Sequence, residues 1–355
     1  MKHLSLKGSP QERGHIHGES LRADIQSFAA LRKELLLKVL PQEKLNTLVE
    51  AHLNFFKNDL ELWAEFEALA QAAGLELCDL MILNNHTDLR DFSLVSDDYL
   101  ASFFECSCFA LQKKSGLIVI GQTWDMHASA EPYVCHLTLE KELNGQTVKQ
   151  EIFSLAGCLA LTGTSSTGVG VYINNLRSSE LKIGLPWPAV VRKLLDCASL
   201  ADVKPTLQKN SGSAGRNFLV ATAREARNFE VTGQNVSSAG STQDNSENIL
   251  LHTNHYLSGL KATEDLANRS KSTLDRYDYV QKKLRTLAHP EGDAHDLAQK
   301  LLTSADADKV FCIPAPSDDP HGSATCGGHL FDYQSGKGFS FTGLYSSRDF
   351  FEFQL

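Results

Sequence analysis

Nothing in this chain approaches the roughly 18-residue apolar run of a membrane-spanning helix. It has no cluster of Lys and Arg and no basic amphipathic stripe, and its net charge is −9 over 355 residues. Both facts argue against nucleic acid or an anionic membrane as partner. No internal repeat or low-complexity linker divides the sequence. Met1 to Gly8 hold no apolar segment of a secretory leader, so a cytoplasmic location is expected. Cys-x-x-Cys pairs are absent, which argues against a zinc ribbon or a thioredoxin-type motif, and Cys106-x-Cys108 matches the usual zinc spacing poorly. The eight cysteines lie mostly in apolar runs such as Tyr133-Val134-Cys135-His136-Leu137, so reduced, buried thiols are the reading for most of them.

What is present is a core of ordinary size, with 42% apolar residues, arranged in blocks. Leu21, Ile25, Phe28, Leu31 and Leu35 recur at helical intervals after Ser20, a candidate cap. Pro41 ends that helix. Leu45 to Phe56 and Leu60 to Leu69 give two more, before Gly74. Cys78 to Asn85 is short and apolar. Near residue 103 the period changes. Leu117–Ile120, Tyr133–Glu140, Gln150–Leu155 and Gly168–Asn175 read as strands, with Asn144-Gly145 a hairpin turn. Pro186–Ala198 reads as helix, Asn217–Ala221 with Asn228–Thr232 as a hairpin pair, Asn235–Asn248 as a polar loop, residues 272–304 as helix, and the tail from Phe339 as β. Strand blocks alternating with helical blocks suggest sheets packed between helices.

Cys106 stands where the helical block ends, and Asp125 follows it 19 positions later at the end of a strand-like run. A thiol attacks as thiolate, and a free cysteine has a pKa of about 8.5, so a base must take its proton. If the chain were cut before Cys106, the new α-amino group, with a reference pKa of about 7.7–8.0, would supply that base on the same residue. The cut needs no protease: the Cys106 thiol can attack the Glu105 carbonyl, and water can release the resulting thioester.

Phe104 to Asp125, with Cys106 and Gly121-Gln122-Thr123-Trp124-Asp125, resembles the penicillin acyltransferase-like family of cysteine N-terminal-nucleophile hydrolases. Gly8-Ser9-Pro10 through Gly14 and Gly18, Gly163 through Asn174, Asn217-Phe218-Leu219 and Leu251 through Tyr256 are similar to further blocks of that family, in order. There are departures: Glu105 where Gly is common, Thr164 and Thr123 where Asn is usual, and no arginine from Asp308 to Gly338 to match one in the family's pocket.

The resemblance implies an α+β, four-layer αββα N-terminal-nucleophile fold. It implies one domain made of a helical segment, residues 1–105, and a catalytic segment, residues 106–355. Self-cleavage between Glu105 and Cys106 would leave these as an α/β heterodimer, with a higher oligomer left open. Cys106, Asp125 and Asn254 are the implied catalytic residues, Asn254 as oxyanion donor and Asp125 as holder of the α-amine. Gln122, Trp124 and Asn174 are the substrate-side candidates, with packing as the competing role for Trp124. The implied reaction is cleavage of a linear small-molecule amide, or transfer of its acyl group, without metal or cofactor. Two rivals stand beside it: an uncleaved binding relative of the same fold, and a zinc hydrolase built on His252, His255 and a cysteine. Ser335-Gly336-Lys337-Gly338 lacks the context of a phosphate loop and reads as a turn.

Overall fold

The computed structural model describes residues 1–93, 105–210, 212–244, 248–270, 272–287, 292–303, 312–319 and 321–355. Its strands form two sheets. The larger sheet contains β1 (Lys2–Leu6), β4 (Val134–Leu143), β5 (Gln146–Leu155), β6 (Thr162–Ser165), β7 (Gly170–Asn175), β8 (Arg216–Ala221), β9 (Ala226–Val231) and β10 (Val236–Ser241), in that order. The smaller runs β11 (Ile249–His252), β2 (Glu105–Gln112), β3 (Ile118–His127), β12 (Ser323–Asp332), β13 (Lys337–Thr342) and β14 (Phe350–Gln354).

Three buried clusters separate four layers. Cys108, Ala110, Ile118 and Ile120 meet Tyr172, Leu219 and Ala221 between the sheets. On the far face of the smaller sheet, Phe109, Leu111 and Val119 pack on α8 (Thr273–Thr286) and α9 (Ala294–Leu302). On the far face of the larger sheet, Leu137, Leu139 and Ile152 pack on α1 (Pro10–Ser20), α2 (Arg22–Leu37), α3 (Gln42–Phe56), α4 (Leu60–Ala73), α5 (Leu77–Asp91) and α6 (Trp187–Leu195); α7 (Leu200–Lys209) follows α6. This is an α+β fold of αββα layers.

The first 105 residues are not purely helical: β1 pairs in parallel with β4, Lys2 opposite Cys135 through Leu6 opposite Leu139. Two further readings change. Residues 236–241 form β10, a Ser-rich edge strand beside β9 rather than a loop, and the helix expected over 272–304 is two helices. The Cys78–Asn85 run belongs to α5, whose residues from Leu80 onward are buried, so no amphipathic stripe marks it. Of the Ser335–Gly338 segment, Ser335 and Gly336 lie in the turn between β12 and β13, and Lys337 and Gly338 begin β13.

The Gly14 and Gly18 spacing has a packing cause. A Cβ on Gly14 would lie 2.1 Å from the Glu65 carbonyl, and one on Gly18 2.5 Å from the Leu69 carbonyl, so α1 crosses α4 backbone to backbone. Ser9 caps α1 with Glu12 in a capping box. Gly14→Val should therefore lower thermal stability by about 2 kcal/mol or more, read as a fall in Tm; an unchanged Tm would refute the close approach.

Between these glycines sits His17, whose Nε2 accepts the Gly157 N–H at 3.1 Å. That bond needs a neutral ring, and burial pushes His17 down to about 4. The unfolded chain binds a proton near pH 6.5 that the native ring refuses until about pH 4, so stability is full above pH 6.5 and falls as pH drops through that window. His255, pushed down to about 4, and His127, pushed down to about 3, act in the same direction, burial again being the main cause. Urea titrations at pH 7 and pH 5 should show the lower stability at pH 5; equal stability would contradict this.

Candidate active site

Cys106 enters the site as the second residue of β2, opposite Trp124 on β3, while the Glu105 backbone pairs with Asp125. The network around it grips its backbone. The Cys106 N–H donates to Asn254 Oδ1 at 3.0 Å. The Cys106 carbonyl accepts from Asn174 Nδ2 at 2.9 Å and from Arg276 Nη1 at 3.0 Å. Arg276 Nη2 also donates to Asn254 Oδ1 at 2.8 Å, and Nη1 to Ser107 Oγ at 3.2 Å. One buried guanidinium thus ties the cysteine backbone to the asparagine amide, the fork geometry at which arginine excels.

Asn254 Nδ2 donates one hydrogen to the Asn175 carbonyl at 2.9 Å. An amide carries two such hydrogens, so donor capacity remains beside the cysteine. Asn254 lies in the loop after β11, held by Thr273 at the start of α8: the Asn254 N–H donates to Thr273 Oγ1 at 2.7 Å. Arg276 is one helical turn further along α8, so a single helix end positions both groups.

A bulge in β12 faces Asp125. Thr325 opposes Asp125 and Gly327 opposes Trp124, which leaves Cys326 as the extra residue of β12. The Thr325 hydroxyl donates to Asp125 Oδ1 at 2.6 Å. Burial, and after it the Asp125 charge, push the Cys106 thiol up to about 12 against the opposing pull of Arg276 and the Asp125 N–H. The sulfur is therefore a neutral thiol near pH 7.

The resemblance to the penicillin acyltransferase-like family is borne out. The chain is 24% identical over 262 residues to the 40 kDa form of acyl-coenzyme A:6-aminopenicillanic-acid-acyltransferase of Emericella nidulans, over 72% of this chain and 70% of that protein. Among solved structures it is similar to the N-acylethanolamine-hydrolyzing acid amidase ortholog of Caenorhabditis elegans, with TM-score 0.46 and 17% identity over 70% of this chain and 100% of that one. It is also similar to a conjugated bile acid hydrolase variant from Clostridium perfringens, with TM-score 0.46 and 12% identity over 70% of this chain and 92% of that one. No protein-family profile matches the chain.

The substrate-side candidates sit deeper than their motif suggests. Gln122 Oε1 accepts the Ile173 N–H at 2.9 Å and so bridges the two sheets. Trp124 is buried and packs edge-on to Phe153. Asn174 spends both amide hydrogens on backbone carbonyls, those of Cys106 and His252 at 2.9 and 3.1 Å. Its Oδ1 accepts from Asn217, which in turn donates to Asn228, so an asparagine ladder crosses β7, β8 and β9. These contacts make Asn174 a support of the Cys106 carbonyl.

His252 Nε2 faces Glu230 Oε1 at 2.8 Å, and His255 Nδ1 faces Thr253 Oγ1 and Thr273 Oγ1 at 3.1 and 3.0 Å. Among the described residues no group of three or more His, Cys, Asp or Glu is arranged to hold a metal ion. All eight cysteines are free thiols, Cys78 exposed and the rest buried.

Arg276 is the site residue that the sequence did not yield. It lies in a stretch that reads as an ordinary helix, outside the Asp308–Gly338 span.

Proposed function

We propose that this chain is a cysteine N-terminal-nucleophile amidohydrolase that activates itself by cleavage between Glu105 and Cys106. The observation that carries this reading is the clamp on the Cys106 backbone. Asn254 Oδ1 receives the very nitrogen that cleavage would turn into an α-amine, and Arg276 ties the carbonyl on its other side to the same asparagine.

In maturation the Cys106 sulfur adds to the Glu105 carbonyl carbon and the Glu105–Cys106 C–N bond breaks. The acyl group passes to sulfur and the amine takes up a proton. Water then cleaves the thioester, leaving a Glu105 carboxylate and a free Cys106 with thiol and amine. In turnover the sulfur attacks the substrate amide carbon while the α-amine takes the thiol proton. A second hydrogen of Asn254 Nδ2 meets the oxyanion, and the α-amine returns the proton to the departing nitrogen. Water resolves the thioester in hydrolysis, and an amine resolves it in acyl transfer. Asp125 holds the ammonium form of the α-amine.

The two fragments stay together in this reading. Glu65 of the first binds Arg192 of the second at 2.8 Å, and β1 remains in the larger sheet. Asp88 pairs with Arg216 and Asp91 with Arg177 across the same divide. Burial alone would raise Glu65, but Arg192 and Arg13 hold it down at about 2.

The decisive experiment is intact-mass analysis of the purified chain with N-terminal sequencing. Two co-purifying fragments, the larger beginning at Cys106, are expected; their masses should sum to 39.1 kDa plus one water. A single 39.1 kDa species would leave the uncleaved binding relative as the better reading. A screen of N-acyl amines and aminoacyl amides, read by mass spectrometry, then identifies the substrate class.

A further inference from the structure

The loop that carries Asn254 is held from a direction the reaction itself does not use. Glu230 lies on β9, paired with Asn217 of β8, and its carboxylate is fully buried. Oε1 accepts the Leu257 N–H at 2.6 Å and faces His252 Nε2 at 2.8 Å. Oε2 accepts the Ser258 N–H at 2.9 Å. The three donors flank Asn254, two residues before it and three and four after it. The other ring nitrogen of His252, Nδ1, faces the Thr253 carbonyl at 2.7 Å, so the imidazole links the carboxylate to the residue next to Asn254. Burial alone would raise Glu230, but hydrogen bonds and charge from His252 and the Ser258 and Leu257 N–H groups outweigh it and hold the carboxylate ionised.

On the opposite side of the loop Thr273 takes the Asn254 N–H and bonds Thr253. Asn254 therefore sits between two anchors, one on β9 and one on α8. The Asn254 amide is itself bonded by the Cys106 N–H, Arg276 and the Asn175 carbonyl; the carboxylate adds a hold on the backbone either side of Asn254, which sets where that amide stands.

We propose that Glu230, with His252, is a positioning residue for the amidase reaction: it clamps both ends of the 252–258 loop so that the Asn254 amide is fixed at Cys106. The proposal rests on the functional reading above. It makes Glu230 act only through Asn254, and it makes His252 a strut rather than a base or metal ligand. Glu230→Gln keeps the shape but places an N–H₂ against backbone donors, so the clamp opens without a cavity.

Two measurements test it. The first needs no activity. In the uncut Cys106→Ala chain, hydrogen exchange is followed by mass spectrometry at position 106 and across 252–258. Adding Glu230→Gln should speed exchange at both places by about tenfold or more, while α1 and α4 keep their protection. Unchanged exchange at 252–258 overturns the clamp. The second is a cycle in the otherwise unaltered chain. Glu230→Gln alone should lower kcat by about 10- to 100-fold with KM little changed. In an Asn254→Ala background it should cost nothing further. His252→Gln, which keeps a donor toward Glu230, should recover most of the activity lost in His252→Ala. Losses that multiply across the cycle, or faster exchange with normal kcat, would make Glu230 merely structural. If the unaltered chain neither splits nor cleaves any amide, the functional reading fails, and the exchange result alone decides the clamp.

Discussion

Replacing Cys106 with Ala should give one uncut 39.1 kDa chain that is folded and has no amidase activity. The fold should survive because Asn254, Asn174 and Arg276 all bind the backbone of residue 106, which the substitution leaves in place. Losing one buried sulfur costs about 1 kcal/mol, the scale of a single buried methylene-sized group. What disappears is the sulfur that, in the proposed reading, forms the thioester in maturation and in turnover. Cys106→Ser is the informative partner: it keeps a nucleophilic atom and the α-amine that cleavage would create, so slow splitting with weak activity is expected. Denaturing gels over a time course after purification read both variants. Two bands from Cys106→Ala would mean that another group, or a contaminating protease, makes the cut, and the self-cleavage reading would be lost.

The resemblance was legible where short-range rules decide structure. Gly14 and Gly18 are legible as part of a block resembling the family's opening, and the structure supplies its physical reason, close approach to the α4 backbone at Glu65 and Leu69. The strand-like run that begins at Leu117–Ile120 and ends at Asp125 is legible; in the structure it is β3, which continues to His127 and whose pairing with β2 sets Asp125 against the Glu105 backbone. Long-range geometry was not legible. Asn174 reads as a strand-end residue able to hydrogen-bond near the nucleophile and as a substrate-side candidate. Only the folded chain shows both its amide hydrogens taken by carbonyls of the other sheet. Gln122 was assigned to the pocket by its position in the motif, yet its oxygen is bound to the backbone of β7. Glu230 lies in a strand where a charged residue reads as solvent-facing, and its burial follows from three donors brought by a loop more than twenty residues away. The α5 helix was missed for the opposite reason: burial all round erases the period that sequence reading relies on.

Arg276 is the remaining residue whose loss should be severe. Its guanidinium serves the Cys106 carbonyl, Ser107 Oγ and Asn254 Oδ1, and Nε donates to Ser272 Oγ at 2.9 Å. Arg276→Leu strands those acceptors in a buried site, where each lost charge-assisted bond costs about 1.5–3 kcal/mol. It also removes a cation that lowers the Cys106 pKa, so the thiolate becomes harder to form. Self-cleavage should slow by about 10²-fold or more, and kcat of any matured enzyme should fall by a similar factor, the range seen when a single oxyanion donor is removed. The sign of the pH effect follows: with the cation gone the thiol pKa moves up, so the rising limb of rate against pH should shift to higher pH. Arg276→Lys keeps the charge but cannot fork to three acceptors, so it should restore the position of the pH profile better than the rate itself. Splitting and turnover in Arg276→Leu within about threefold of the unaltered chain, at the same pH optimum, would show that the arginine braces the fold and nothing more.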